Sequence, residues 1–359
     1  MKIEFNDMLG LNDPSEDKNL NMWIRVTSKT NEEKFYSLLK LIIGGIKEKN
    51  KFKDTQLAKY FSDKLGVNVN ASTVYGWGGG YFKNKRRGVP FKVIDTLLGE
   101  QPNLVKNISK ADILGVIDEV TIRSGQNVKL VKEITPSLAY IIGIIIGDGS
   151  CSGAFTDARR KYREFKIRIS KDRKDFTDKI SEIIEDIFAI KCKSFRNNGD
   201  DSVWNIQIKS KYVSRLLHNY FLIPMGSKAL TVKIPPQFYN ASDNIKSALI
   251  RGLIDSDGCI YINNKKSKRR NCTYTYRKLK ILFRVRSKDL VDGTALLLTS
   301  LGYKPHVFEY MGITFNRDKK VKFYGFNLNN DDSEKYAKEI SSLNPNKLKI
   351  IEEYFAKSL

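Results

Sequence analysis

Two glycine-bearing apolar runs constrain this chain more than anything else in it. Residues 141–149 read IIGIIIGDG and residues 249–258 read LIRGLIDSDG. Each is apolar-rich, ends in Asp-Gly, and holds an internal glycine at an equivalent place, Gly143 and Gly252. A glycine inside a helix costs about 1 kcal/mol relative to alanine. Its use is to let a second helix backbone come close. The pattern predicts two helices packed through these glycines about an internal two-fold axis. Asp148 and Asp257 would then meet at the two helix C-termini. Each would face the negative end of a helix dipole and repel the other, so a cation must compensate. Carboxylates and backbone carbonyls are hard oxygen ligands, which favours magnesium.

The sequence around these runs also repeats, from about residue 134 to the end. The first run leads to a basic stretch ending KIRISKD and a helix ending IFAIK. The second leads to a basic stretch ending FRVRSKD and a helix ending LLTSLGYK. Each copy reads as helix, hairpin, helix, further strands and a closing helix. Within FKIRIS, Lys166 and Arg168 alternate with apolar residues. In the second copy Tyr274, Tyr276, Lys278, Lys280, Arg284 and Arg286 oppose Leu279, Ile281, Phe283 and Val285. Period-two alternation predicts sheets with one buried and one solvent-facing side. Residues 259–288 hold eleven basic residues and no acid, and Lys265, Lys266, Lys268, Arg269 and Arg270 form a hairpin tip suited to phosphates. Such contacts position a protein on DNA, while strand side chains read bases.

These paired runs resemble the dodecapeptide motifs of LAGLIDADG homing endonucleases in their two-motif, single-chain form. Ile141–Gly149 and Ile250–Gly258 fill the nine places, and the resemblance covers nearly two-thirds of the chain. It implies an αββαββα unit per copy, two antiparallel sheets forming a saddle over the major groove, and metal-dependent hydrolysis of both strands. The metal-binding acid falls on Asp148 and Asp257, with Gly147 and Ser256 completing the expected metal set. Two places earlier stand Ile146 and Asp255, and Asp255 is given no catalytic role. Arg251 stands for a small residue and is expected to face outward. Lys171 and Lys288, each in an SKD triplet, are expected to take equivalent places and to assist catalysis.

Ahead of the repeats, EEKFYSLLKLIIGGIKEK has apolar residues at helical spacing, with Gly44 and Gly45 weakening its end. Asp54 or Thr55 would cap a second helix ended by Gly66, and Ser72 or Thr73 would cap a third. This segment, with the later GVPFKVIDTLLG, resembles a phage-repressor helix-turn-helix. Asn70, Ser72, Thr73 and Tyr75 would lie near base edges, and Lys83, Lys85, Arg86 and Arg87 near phosphates.

The expected class is therefore α+β. Residues 1–30 form an N-terminal arm and 31–100 a helix-turn-helix-like domain. Residues 101–133 form a linker or small strand-rich segment, 134–240 the first repeat and 241–359 the second. A net charge of +23 points to a polyanionic partner, here double-stranded DNA bound by a monomer that is an internal pseudo-dimer. The apolar run 138–147 is about half of the ~20 residues needed to span a bilayer, so no membrane role and a cytoplasmic, nucleoid-associated place are expected. The four cysteines have no CxxC spacing, which argues for buried thiols rather than zinc. The expected function is a magnesium-dependent, site-specific endodeoxyribonuclease of the intron-homing kind. An RNA maturase acting on intron RNA and a non-catalytic transcription regulator are the alternatives. Met1 and the closing AKSL disfavour an intein-embedded enzyme.

Overall fold

A computed structural model describes residues 22–26, 29–78, 89–100, 110–117, 119–122, 127–152, 166–197, 200–269, 272–314 and 317–356. The first helices are α1 (Lys29–Lys49), α2 (Asp54–Leu65), α3 (Ala71–Trp77), α4 (Phe91–Glu100) and α5 (Lys110–Val116). They pack with a small antiparallel sheet of β1 (Met22–Arg25), β2 (Val89–Pro90), β3 (Glu119–Ile122) and β4 (Asn127–Lys129). Gly44 and Gly45 do not end α1, which runs through them.

Leu57, Ala58, Phe61 and Leu65 are buried inside α2, and Gly66 ends that helix, as expected, with φ 67°. Both caps differ from expectation. Lys53 is the N-cap of α2, its N–H donating to Gln56 Oε1 at 2.8 Å. Asn70 caps α3, its Oδ1 accepting from the Thr73 N–H at 2.8 Å. The Ser72 and Thr73 hydroxyls donate to that same oxygen at 2.8 and 2.6 Å, so they complete the cap instead of forming it. The stretch beyond residue 101 also does more than link. Ile113, Val116, Ile117 and Val128 are buried in the core that the helices share. The Val131 N–H donates to the hydroxyl of buried Tyr212 at 3.0 Å, tying this segment to the repeats.

The first repeat opens with α6 (Pro136–Asp148). Thr135 caps it, and Pro136 sits in the first turn, where its missing N–H leaves no bond unmade. Nine consecutive residues, Leu138 to Ile146, are buried. A helix that is apolar all round must be enclosed on every side. Then come β5 (Gly149–Ser152), β6 (Lys166–Lys171), α7 (Lys174–Phe188), β7 (Phe195–Asn197), β8 (Asp200–Lys209) and α8 (Lys211–Arg215), which continues as a π-helical turn to Tyr220.

The second repeat is α9 (Asp243–Asp257), β9 (Gly258–Arg269), β10 (Cys272–Val285), α10 (Lys288–Ser300), β11 (His306–Thr314), β12 (Arg317–Asn327), α11 (Asn330–Glu339) and α12 (Pro345–Ala356). The sheets run β5-β6-β8-β7 and β9-β10-β12-β11, the same order twice and antiparallel throughout. The chain is thus α+β, with two αββαββα copies behind a largely helical N-terminal unit.

The helices α6 and α9 meet at the glycines. A Cβ on Gly143 would lie 2.4 Å from the Leu249 carbonyl oxygen, and one on Gly252 would lie 2.2 Å from the Tyr140 carbonyl oxygen. The sheets lay one face on their helices, burying Ile167, Ile169, Ile206 and Ile208 in one copy and Leu279, Ile281, Phe283 and Phe326 in the other. Cys151 is buried and Cys192 half-buried, and burial pushes both thiols up to about 11. Cys259 departs from the buried expectation. It pairs with Leu282 on the open side of its sheet and is exposed. Among the described residues no helix is long and apolar enough to cross a membrane.

Candidate active site

The close helix crossing sets the chemistry at its far end. Asp148 and Asp257 are the last residues of α6 and α9. Asp257 Oδ2 lies 3.2 Å from where a Cβ would stand on Gly147, the residue before Asp148. Crowding by the surrounding protein, and then the Asp148 carboxylate, raise the Asp257 carboxyl above its ordinary range. Two carboxylates thus share a partly desolvated place at two negative helix ends.

Three lysines answer that charge. Lys171, the last residue of β6, is buried and ion-paired to Asp148, and its Nζ lies 3.4 Å from the Asp255 carbonyl oxygen. It therefore bridges the two helix ends. Lys228 seats its Nζ on the last-turn carbonyls of α6, bonding to those of Ile145, Ile146 (2.5 Å) and Gly147 (2.7 Å). Lys347 does the same on α9, bonding to the carbonyls of Ile254 (2.5 Å) and Asp255 (3.0 Å). Burial lowers each of these two ammonium groups to about 8. Lysine ammoniums at helix C-termini satisfy orphan carbonyls and oppose the dipole.

Lys228 and Lys347 are the residues that sequence reasoning missed, although a signal exists. Each stands eight residues beyond the closing helix of its copy, after Tyr220 and after Glu339. Lys288 is the residue that does not join them. It is exposed and paired with Asp292 one helical turn on. The SKD match slipped the register. Gly149 pairs with Ile169 and Gly258 with Phe283, so Lys171 corresponds to Val285 and Lys288 to Lys174. Lys174 makes the same exposed i,i+4 pair, with Asp178.

Asp255 is wholly buried. It accepts from the Tyr140 hydroxyl (3.0 Å), the Leu343 N–H (2.8 Å) and the Ser342 hydroxyl. It locks the two central helices to the segment after α11. Arg251, expected to face outward, instead donates to the Ile340 carbonyl at the end of α11 (2.6 Å). The Ser256 hydroxyl bonds back to the Gly252 carbonyl (2.8 Å), leaving its own carbonyl as the group available to a metal.

On the sheets, Arg168, Tyr276, Lys278, Lys280 and Arg284 lie on the side opposite the core, exposed or half-buried. Arg286 falls beyond the end of β10 and turns to a shallow pocket with Lys288, Asp289 and Lys322. Lys166 lies in β6; Lys265, Lys266, Lys268 and Arg269 lie in β9 and Tyr274 in β10. Arg270, Lys83, Lys85, Arg86 and Arg87 lie outside the described residues. Ser72, Thr73 and Tyr75 are exposed on α3.

A divalent ion implied by this acid pair is testable on its donor set. Among the described residues no group of three or more His, Cys, Asp or Glu side chains could hold a metal. Two carboxylates and the adjoining carbonyls of Ser256 and of Gly147, the latter also accepting from Lys228, remain. That set fits a magnesium ion, which commonly binds through one or two carboxylates together with substrate phosphates.

The chain is similar to several known proteins. The homing endonuclease I-DmoI, solved in complex with DNA and Ca, aligns over 62% of this chain and 100% of its own, with TM-score 0.42 and 16% identity. The I-LtrWI LAGLIDADG homing endonuclease bound to target DNA aligns over 63% of this chain and 90% of its own, with TM-score 0.41 and 15% identity. The glutamine–fructose-6-phosphate aminotransferase (isomerizing) of Methanocaldococcus jannaschii is 26% identical over 134 residues, 37% of this chain. The chain spans only 11% of that protein's length. Residues 244–341, from the start of α9 to just past α11, match the family model of the LAGLIDADG-like domain. This chain therefore carries a LAGLIDADG-like domain in its second repeat.

Proposed function

We propose that this protein is a site-specific DNA endonuclease that makes a magnesium-dependent double-strand break at a long recognition site. The observation that carries the reading is the meeting of Asp148 and Asp257 at paired helix ends, with a lysine seated on each end. The flanking sheets turn basic faces outward. The I-DmoI and I-LtrWI complexes give DNA as the polymer that such proteins bind.

Asp148 and Asp257, with the Gly147 and Ser256 carbonyls, would hold the ion. When bound, it supplies charge neutralisation at the scissile phosphate and acidifies water. The protein's own groups do the rest. Lys228 and Lys347 present ammonium groups fixed by backbone carbonyls, so no reorganisation is needed as negative charge develops on the phosphate. Lys171 holds Asp148 in place. Lys166, Arg168, Lys265, Lys266, Lys268, Arg269, Arg270, Tyr274, Tyr276, Lys278, Lys280 and Arg284 would contact the duplex. Ser72, Thr73 and Tyr75 on α3, with Lys83, Lys85, Arg86 and Arg87, would lengthen the footprint.

The test is to incubate the protein and magnesium with DNA from the uninterrupted form of its own locus, then sequence the ends. A single metal-dependent double-strand cut is expected. Salt-sensitive binding without a cut would overturn the endonuclease and favour a regulator, and preferential binding of intron RNA would favour a maturase. Lys228→Met and Lys347→Met should each slow cleavage by about 10²-fold or more. Single-turnover rates at saturating protein check this. Equal rates in wild type and variants would remove both lysines from catalysis.

A further inference from the structure

The open face of the second sheet is not a chemical copy of the first. On the first, Arg168 pairs across the strands with Gln207, and Ser170 with Asn205, whose Oδ1 accepts from the Ser170 hydroxyl at 2.7 Å. On the second, Arg284 pairs with Gly325, Gly325 with Phe308, and Phe323 with Tyr310. Antiparallel partners share a face, so Arg284, Phe308, Tyr310 and Phe323 all lie opposite buried Phe283 and Phe326. The Tyr310 and Phe323 rings stack, with centroids 5.4 Å apart and planes 16° apart, and Phe308 adjoins Tyr310 at 6.2 Å. The Arg284 guanidinium lies 5.9 Å from the Tyr310 ring centre.

Two glycines make these rings lie flat. A Cβ on Gly312 would stand 3.0 Å from the Phe323 ring and 3.1 Å from that of Tyr310, and one on Gly325 would stand 3.0 Å from Phe308 Cζ. The rings therefore form a half-exposed shelf on bare backbone, on the side of the sheet opposite buried Phe283 and Phe326. The shelf continues the strip of Tyr276, Lys278, Lys280 and Arg284 proposed to face DNA. An apolar shelf flanked by cations suits an apolar group embedded in a polyanion. In the major groove the base edges are polar except for the C5-methyl of thymine.

We propose that the Phe308–Tyr310–Phe323 shelf reads thymine methyl groups in the half of the target beneath the second repeat. The proposal rests on the duplex-binding reading above. Arg284, held over Tyr310, borders the methyl contacts with a charged donor. Among the described residues the first face carries amides, a hydroxyl and one ring, Phe195, with the Arg168 guanidinium 6.0 Å from its centre, but no stack of rings, so the two half-sites are read by different chemistry.

The full-length protein is used without divalent metal to select tight binders from a duplex library. Thymine in the selected sequence is then replaced by uracil, which lacks only the methyl, one half-site at a time. Burial of one methyl predicts about a fourfold loss of affinity per contacted thymine, in one half-site only. Phe308→Ser should erase the thymine–uracil difference there, and Phe308→Leu should keep it. The DNA exchange needs no variant to fold. Selected sequences without enriched thymine, or equal affinity for both bases in both halves, would overturn the shelf and leave the rings as covers for Gly312 and Gly325. A protein that retains no duplex above background would instead overturn the endonuclease reading itself.

Discussion

The Asp148→Asn, Asp257→Asn double variant will bind the target duplex and leave both strands whole. Asn keeps the shape and loses the charge, so the sheets that carry the binding contacts are untouched while the acid pair is gone. Cleavage should fall by at least about 10³-fold, and affinity should change little. Retained cutting by the double variant would end the proposed chemistry. The single variants add a finer expectation, because the two acids are equivalent in the repeat but not in their surroundings. Asp257 keeps an exposed side chain, yet crowding by the surrounding protein and then the Asp148 carboxylate raise its carboxyl. In metal-free buffer at neutral pH its charge therefore opposes folding. Asp257→Asn should leave the melting temperature unchanged or slightly raised, because solvent screens much of the repulsion at this exposed carboxylate. Asp148 instead balances Lys171, whose side chain is only 6% exposed. Asp148→Asn leaves that ammonium buried without its counter-ion and should cost about 1–3 kcal/mol. Thermal melts in a chelator separate the two, and shifts of the same sign would contradict this account.

What could be read from the sequence, and what could not, follows the range of each interaction. The central helices were legible because Ile141–Ile146 is apolar, Leu249–Ile254 is apolar but for Arg251, and the two hold their glycines at matching places. The sheet faces were legible because alternation is a local code, and Leu279, Ile281 and Phe283 obey it. The N-terminal sheet was legible only in part: 101–133, expected as a linker or small strand-rich segment, holds β3 and β4, but β1 and β2 went unread, since strands of two to four residues carry too little periodicity. Lys288 misled because three shared letters outweighed register, which the pairing of Gly258 with Phe283 fixes and a triplet does not. Lys228 and Lys347 were hidden for a deeper reason. Their main partners are backbone carbonyls 81–83 and 92–93 residues away. A carbonyl is the same in every residue type, so no side-chain pattern announces its use.

The contact that holds the acids together is also the least tolerant of change. Gly252→Ala adds one methyl group, yet its Cβ would fall 2.2 Å from the Tyr140 carbonyl oxygen and 3.0 Å from the Gly143 Cα. Gly143→Ala meets the Leu249 carbonyl oxygen at 2.4 Å and the Leu253 nitrogen at 2.9 Å. Every one of these atoms is backbone, so no rotamer change relieves the overlap. The helices must move apart as rigid rods. That separation loosens the Tyr140–Asp255 bond and parts Asp148 from Asp257. Helix propensity alone would favour alanine by about 1 kcal/mol, but overpacking against backbone costs more, about 3 kcal/mol or above. Gly44→Ala is the internal control. It lies in α1 with no atom within 4 Å of its added Cβ, so the propensity gain stands alone and stability should rise by about 0.5–1 kcal/mol. Denaturant titration of the three variants should give two losses and one gain from the same chemical change. A Gly252→Ala protein as stable as Gly44→Ala would mean that the helices do not touch there, and the close pairing of the two aspartates would lose its structural cause.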